Sequence, residues 1–66
     1  MITVNGKIDT AAHAGQSISE LLKRLEMQTA RVVVERNGAI VTRETYDSLL
    51  LEDQDDIEVI SFVGGG

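Results

Sequence analysis

Few side chains in this sequence could do chemistry. His13 stands alone, with Asp9 four residues before it; a general base is one reading, a loop histidine beside a turn the other. Ser17 and Ser19 read better as helix-start residues than as nucleophiles. The run Glu52-Asp53-Gln54-Asp55-Asp56 is rich enough in carboxylates to suggest calcium. An EF-hand loop, however, needs an acid or Asn two residues after Asp55 and then a Gly, where this chain has Ile57 and Glu58. The acidic run is therefore expected to be a solvated loop leading into a strand. There is no Cys, which excludes disulfides, a cysteine nucleophile and a side-chain persulfide, and a lone His with no Cys excludes structural zinc. No glycine-rich phosphate loop is present, since Gly64 to Gly66 precede no helix and carry no Lys.

The sequence closes on Phe62-Val63-Gly64-Gly65-Gly66. Three residues without β-carbons make a thin, adaptable stretch. Residues 63–66 extend about 14 Å at ~3.3–3.6 Å each. Such a tail can thread a narrow channel in another protein and present the Gly66 α-carboxylate to its active site. A frayed end or a cloning remnant has the same composition, and the glycines alone do not choose between the two.

The elements that would carry this terminus follow from periodicity. Met1 to Val4 alternates as a strand, Asn5-Gly6 suits a type I′ turn, and Lys7 to Thr10 returns with Ile8 expected on the buried face. A loop over Ala11–Gln16 leads to Ser17, which has capping-box spacing with Glu20. Ile18, Leu21, Leu22 and Leu25 share one face of a helix expected to end near Met27 or Gln28. Val32, Val33 and Val34 mark a strand over 31–36. Asn37-Gly38 is a second type I′ pair, followed by a strand over 39–42. Residues 43–51, with Tyr46, Leu49, Leu50 and Leu51, read as a short helical turn packed on the core. Ile57 to Phe62 is the last strand. Its alternation slips at Val59-Ile60, implying either a bulge or apolar cover on both faces, one by the helix and one by a partner. The order ββαββ plus a closing β describes an α+β fold: a mixed sheet of four to five strands with one main helix on one face, the last strand beside the first at the centre.

With 66 residues the chain is long enough for one small domain, and 42% apolar content is enough for a single core. Six basic residues against eleven acidic ones give a net charge of −5, which disfavours nucleic acid and anionic membranes and favours a basic protein surface. No apolar run approaches the ~20 residues of a membrane span. No basic segment followed by an apolar run opens the sequence, so the cytoplasm is the expected compartment.

Over its whole length the sequence resembles the small sulfur carrier proteins of thiamine biosynthesis, the ThiS family, which have the ubiquitin-like β-grasp fold. The resemblance is carried by Met1-Ile2-Thr3-Val4-Asn5-Gly6-Lys7, by Ala14-Gly15-Gln16-Ser17-Ile18-Ser19-Glu20-Leu21-Leu22, by Val34-Glu35-Arg36-Asn37-Gly38 with Ile40-Val41-Thr42-Arg43, and by Asp56-Ile57-Glu58-Val59-Ile60-Ser61-Phe62-Val63-Gly64-Gly65-Gly66. Asp55-Asp56 stands where a Gly-Asp pair is common. The resemblance implies a β-grasp domain over 1–62 and a flexible glycine tail over 63–66. It implies a carrier and co-substrate, not an enzyme. Gly66 would be adenylated and then thiocarboxylated, with Gly65 and Gly64 giving access and Phe62, Ile60 and Val63 at the partner surface. The implied partners are an E1-like adenylating enzyme that uses ATP, a cysteine desulfurase or other sulfur donor, and thiazole synthase. The carrier itself binds no cofactor. A carrier resembling the small subunit of molybdopterin synthase, and a plain ubiquitin-like interaction module, are the competing readings.

Overall fold

The computed structural model describes residues 1–62. The expected tail, Val63, Gly64, Gly65 and Gly66, lies outside the described residues. Five strands form one mixed sheet: β1 (Thr3–Val4), β2 (Lys7–Ile8), β3 (Val32–Arg36), β4 (Ala39–Ile40) and β5 (Asp56–Ser61). Their order is β2-β1-β5-β3-β4, with β5 parallel to β1 and antiparallel to β3. One helix, α1 (Ile18–Arg24), packs on the sheet, and 3-10 turns occupy Thr29–Arg31 and Arg43–Thr45.

Both hairpins turn on Asn-Gly pairs with positive φ, 53° and 81° at Asn5-Gly6 and 52° and 85° at Asn37-Gly38, as a type I′ turn requires. A β-carbon at Gly6 or Gly38 would meet nothing within 4 Å, so backbone conformation rather than space selects glycine there. The turn also decides which way Ile8 faces. A two-residue loop sets Thr3 opposite Ile8 and Val4 opposite Lys7. Cross-strand partners share a face, so Ile8 follows Thr3 to the outer side. It is 56% exposed, against the expectation of burial. The second strand stops at Ile8 rather than Thr10. The strand after Asn37-Gly38 likewise ends at Ile40, although Val41 still donates to the Val34 carbonyl and is buried.

Helix α1 starts where its capping box stands. The Glu20 amide donates to Ser17 Oγ at 3.1 Å, and the Ser17 amide donates to Glu20 Oε1 at 2.9 Å. Two more amides that a helix start leaves free are taken by the 46–49 loop: Ser19 donates to Tyr46 C=O and Ile18 to Leu49 C=O. The helix ends earlier than its apolar stripe suggests. Glu26 adopts φ 59°, Met27 donates to Leu22 C=O and Glu26 to Lys23 C=O, which is a Schellman motif. Glycine usually occupies that left-handed position, and glutamate hid the stop signal. Met27, expected within the helix, closes against the core from beyond its end.

The core is formed by Ile18, Leu21 and Leu22 of the helix against Ile2, Val4, Val32, Val34, Ile57 and Val59 of the sheet side, closed by Tyr46 and Leu51. The 43–51 segment does pack on it, except that Leu50 points outward at 49% exposure while bridging Ser17. The slip at Val59-Ile60 is not a bulge. β3 and β5 pair without interruption from Arg36↔Ile57 to Val32↔Ser61. Val59 therefore faces the core and Ile60 the outer side.

The acidic run also departs from a solvated loop. Asp55 is buried at 4% exposure. Its carboxylate accepts from Arg36 Nε at 2.9 Å, Asn37 Nδ2 at 3.1 Å and the Glu52 amide at 2.8 Å. Burial pushes its pKa up, but those three donors outweigh burial and hold it below the ordinary carboxyl value. A folded-state pKa that is depressed gives stability that is full above the unfolded value of about 4 and is lost as pH falls through the folded value. Replacing Asp55 by Asn removes the charge and leaves Arg36 with Glu52 alone. That substitution is expected to cost about 3 kcal/mol in urea unfolding at pH 7 and to make the acid limb of the stability–pH profile shallower.

Candidate functional site

The chemistry-bearing candidates do not converge. Asp9 lies beside Arg24, at 2.7 Å, and caps the Ala11 and Ala12 amides. The Arg24 bond chiefly holds the Asp9 carboxyl below its ordinary value. Asp9 therefore serves the loop and the helix rather than His13, whose Nδ1 lies 3.1 Å from Ala14 C=O on the surface. Ser19 Oγ is bonded to the Asp47 carboxylate. Among the described residues, no group of three or more His, Cys, Asp and Glu side chains is placed to hold a metal ion.

What the fold does build is an outer sheet face at the end of β5. Alternation puts Thr3, Ile8, Val33, Glu35, Ile40, Glu58 and Ile60 on the side away from the core. Val33 and Ile60 are cross-strand partners, and so are Glu35 and Glu58. The two glutamates stand opposite each other, a like-charge pairing that weakens a sheet, and among the described residues neither enters an ion pair. Ile60 is 48% exposed and Ile40 70%. Val33 and Ile60 make the face apolar near the end of β5, and the next row holds Glu58 and Glu35 with Ile40 beside them.

Phe62 lies one residue past β5 and is half-exposed, not core. Its amide donates to Arg31 C=O at 3.1 Å, extending the ladder beyond the last assigned pair. It lines a groove of about 300 Å³ with Met27, Arg31 and Ser61. Ile60 and Phe62, named from sequence as partner-surface residues, are thus both accessible where the described chain ends. Val63, Gly64, Gly65 and Gly66 lie outside the described residues. Two features have no signal in the sequence: the Asn5 and Asn37 side chains accept from β5 amides besides forming turns, and Asp55 is buried.

A mixed five-stranded sheet with the last strand at its centre and one helix across one face is the β-grasp architecture, that of small ubiquitin-like domains. The sequence matches the ThiS family over residues 2–66. It belongs to that family. The crystal structure of a ThiS thiamine biosynthesis protein from Geobacter metallireducens superposes with a TM-score of 0.77 at 38% identity, covering 98% of this chain and 97% of the other. The sulfur carrier protein ThiS of Bacillus subtilis is 38% identical, aligned over 100% of both chains. A thiazole synthase of Magnetococcus marinus is 43% identical over 65 residues, 98% of this chain but only 20% of that protein's length.

The alternation across β5 is checked by comparing two truncations. Ile57→Ala, at a fully buried position, should cost about 3 kcal/mol in denaturant unfolding. Ile60→Ala, on the outer face, should cost no more than about 0.5 kcal/mol.

Proposed function

We propose that this chain is a sulfur carrier in the formation of the thiazole of thiamine, acting as a protein co-substrate and not as a catalyst. The observation that carries the reading is the family match over residues 2–66, joined to end-to-end alignment with a sulfur carrier. The geometry agrees with it. The polar candidates within the domain are committed to caps, turns and ion pairs, and two of the exposed apolar residues, Ile60 and Phe62, lie where β5 runs out.

In this reading the reactive group is the Gly66 carboxylate. A free carboxylate is a poor electrophile at neutral pH. An E1-like adenylating enzyme joins it to AMP from ATP, releasing pyrophosphate. Sulfur supplied by a cysteine desulfurase or another donor displaces AMP: as sulfide it gives the Gly66 thiocarboxylate directly, and as a persulfide it gives an acyl-persulfide whose S–S bond a partner thiol cleaves, that thiol ending in a disulfide and the thiocarboxylate staying on Gly66. Thiazole synthase accepts that sulfur. In this reading Gly65 and Gly64, which carry no β-carbon, let the terminus enter narrow active sites, and the domain that carries it spans 1–62. The carrier binds no cofactor, and ATP belongs to the partner. Two thiazole synthases each include, within one polypeptide, a stretch similar to 98% of this chain, which supports that enzyme as a partner. No helix among the described residues is long and apolar enough to cross a membrane. The cytoplasm is the proposed compartment.

Ile60, Phe62 and Val63 form the docking surface, with Glu35 and Glu58 facing basic groups of the partner. Incubation with ATP, the adenylating enzyme and a sulfur source should raise the intact mass by the exchange of one oxygen for sulfur at Gly66. Deleting Gly65 and Gly66 should abolish the gain and leave thermal unfolding almost unchanged; a large loss of stability would contradict the free-tail reading. Rescue of a carrier-deficient strain only when thiamine is withheld separates this pathway from molybdopterin synthesis. Phe62→Ala should raise the KM for the carrier about tenfold, the size of a modest interface hot spot.

A further inference from the structure

β5 outruns its neighbour. It has six residues, while β1 has two and pairs only with Asp56 and Ile57. β1 turns away at Asn5, whose amide still donates to Ile57 C=O at 2.8 Å. The next β5 amide on that side belongs to Val59, which has no strand residue to receive it. The Asn5 side chain takes the vacant place: Oδ1 accepts from the Val59 amide at 2.8 Å, across 54 residues of sequence. Asn37, at the same position of the other type I′ turn, accepts from the Asp56 amide at 2.9 Å. Both turn asparagines thus reach past their own hairpins to hold the central strand, one at its first residue and one at its fourth.

A type I′ turn does not require this side chain, because glycine serves equally at positive φ. We infer that Asn5 is a positioning residue for the carrier terminus: its amide oxygen extends the two-sided grip on β5 from Ile57 to Val59 and so fixes the point from which the glycines are delivered. Beyond Val59 the strand is held from the β3 side alone, ending with the Phe62 bond to Arg31. Loss of the Asn5 acceptor moves the firm anchor back by two residues. Residues 60–62 are then held less firmly, and fewer docked encounters place Gly66 for reaction. The docking face, centred on Ile60, keeps its composition. This inference rests on the sulfur-carrier reading for its kinetic part only.

Two variants test it. Asn5→Gly retains the turn and removes the acceptor. Asn5→Asp retains an acceptor, and aspartate tolerates positive φ. In native-state amide exchange, Asn5→Gly should lower protection at Val59 about fivefold to tenfold, the worth of one hydrogen bond, and leave Leu21 and Leu22 protected as in the parent. Asn5→Asp should restore Val59. In the adenylation assay, at a temperature where all variants are fully folded, Asn5→Gly should lower kcat about tenfold with KM changed less than twofold, and Asn5→Asp should recover kcat. A merely structural asparagine would shift the unfolding temperature and leave both constants untouched, which overturns the inference. Unchanged protection at Val59 in Asn5→Gly overturns it as well. If the parent protein is not adenylated, the carrier reading fails, and the exchange data still decide whether Asn5 anchors β5.

Discussion

The structure depends on how β5 is held. This last strand occupies the centre of the sheet, parallel to β1 and antiparallel to β3, so residues from opposite ends of the sequence meet there. Two asparagines, each at the first position of a tight turn, add side-chain acceptors for β5 amides at Asp56 and Val59. Thr3 Oγ1 donates to the Asp56 carboxylate at 3.0 Å, and buried Asp55 ties the approach to β5 to Arg36 and Asn37. The cost of closing such long loops falls before the contacts form, so the central strand is the part of the fold most dependent on everything else being in place. It is also the element that leads directly to the glycines.

A domain this small has little core to spare, and its polar groups compensate by satisfying one another. The helix start is completed by its capping box and by carbonyls of the 46–49 loop, which fastens that irregular segment over the core without a strand of its own. Within the described residues, the carboxylates that lie closest to cations are spent on holding loops together. Those of Glu35 and Glu58 are not, and their cross-strand placement costs stability in the isolated chain. The pairing leaves two carboxylates side by side on the outer face of the sheet.

Among the described residues the chemistry-bearing side chains serve caps, turns and ion pairs. A carrier of activated sulfur does not need a base or a nucleophile of its own; it needs a rigid body, a recognisable face and an end that others can reach. The rigid body here is a grasp of strands around one short helix, and the accessible face lies along β5, which ends at Ser61. ThiS membership accounts for the first two of these together.

Element types were legible in the sequence because they arise from local forces. Asn5-Gly6 and Asn37-Gly38 select type I′ turns through their φ preferences, Ser17 and Glu20 form a capping box through spacing alone, and the valine run disfavours helix sterically. The glycine terminus, likewise, is a statement about covalent structure and needs no fold. What only the tertiary structure decided are matters of register and partnership. Ile8 faces outward because the turn pairs it with Thr3, Ile60 because β5 runs unbroken along β3, and helix α1 stops early because Glu26 accepts a conformation usually left to glycine. Asp55 is buried because Arg36, Asn37 and the Glu52 amide converge on it, and Asn5 reaches Val59 across 54 residues. No local pattern encodes such meetings, since they exist only once the chain has closed on itself and a donor from one end finds an acceptor from the other.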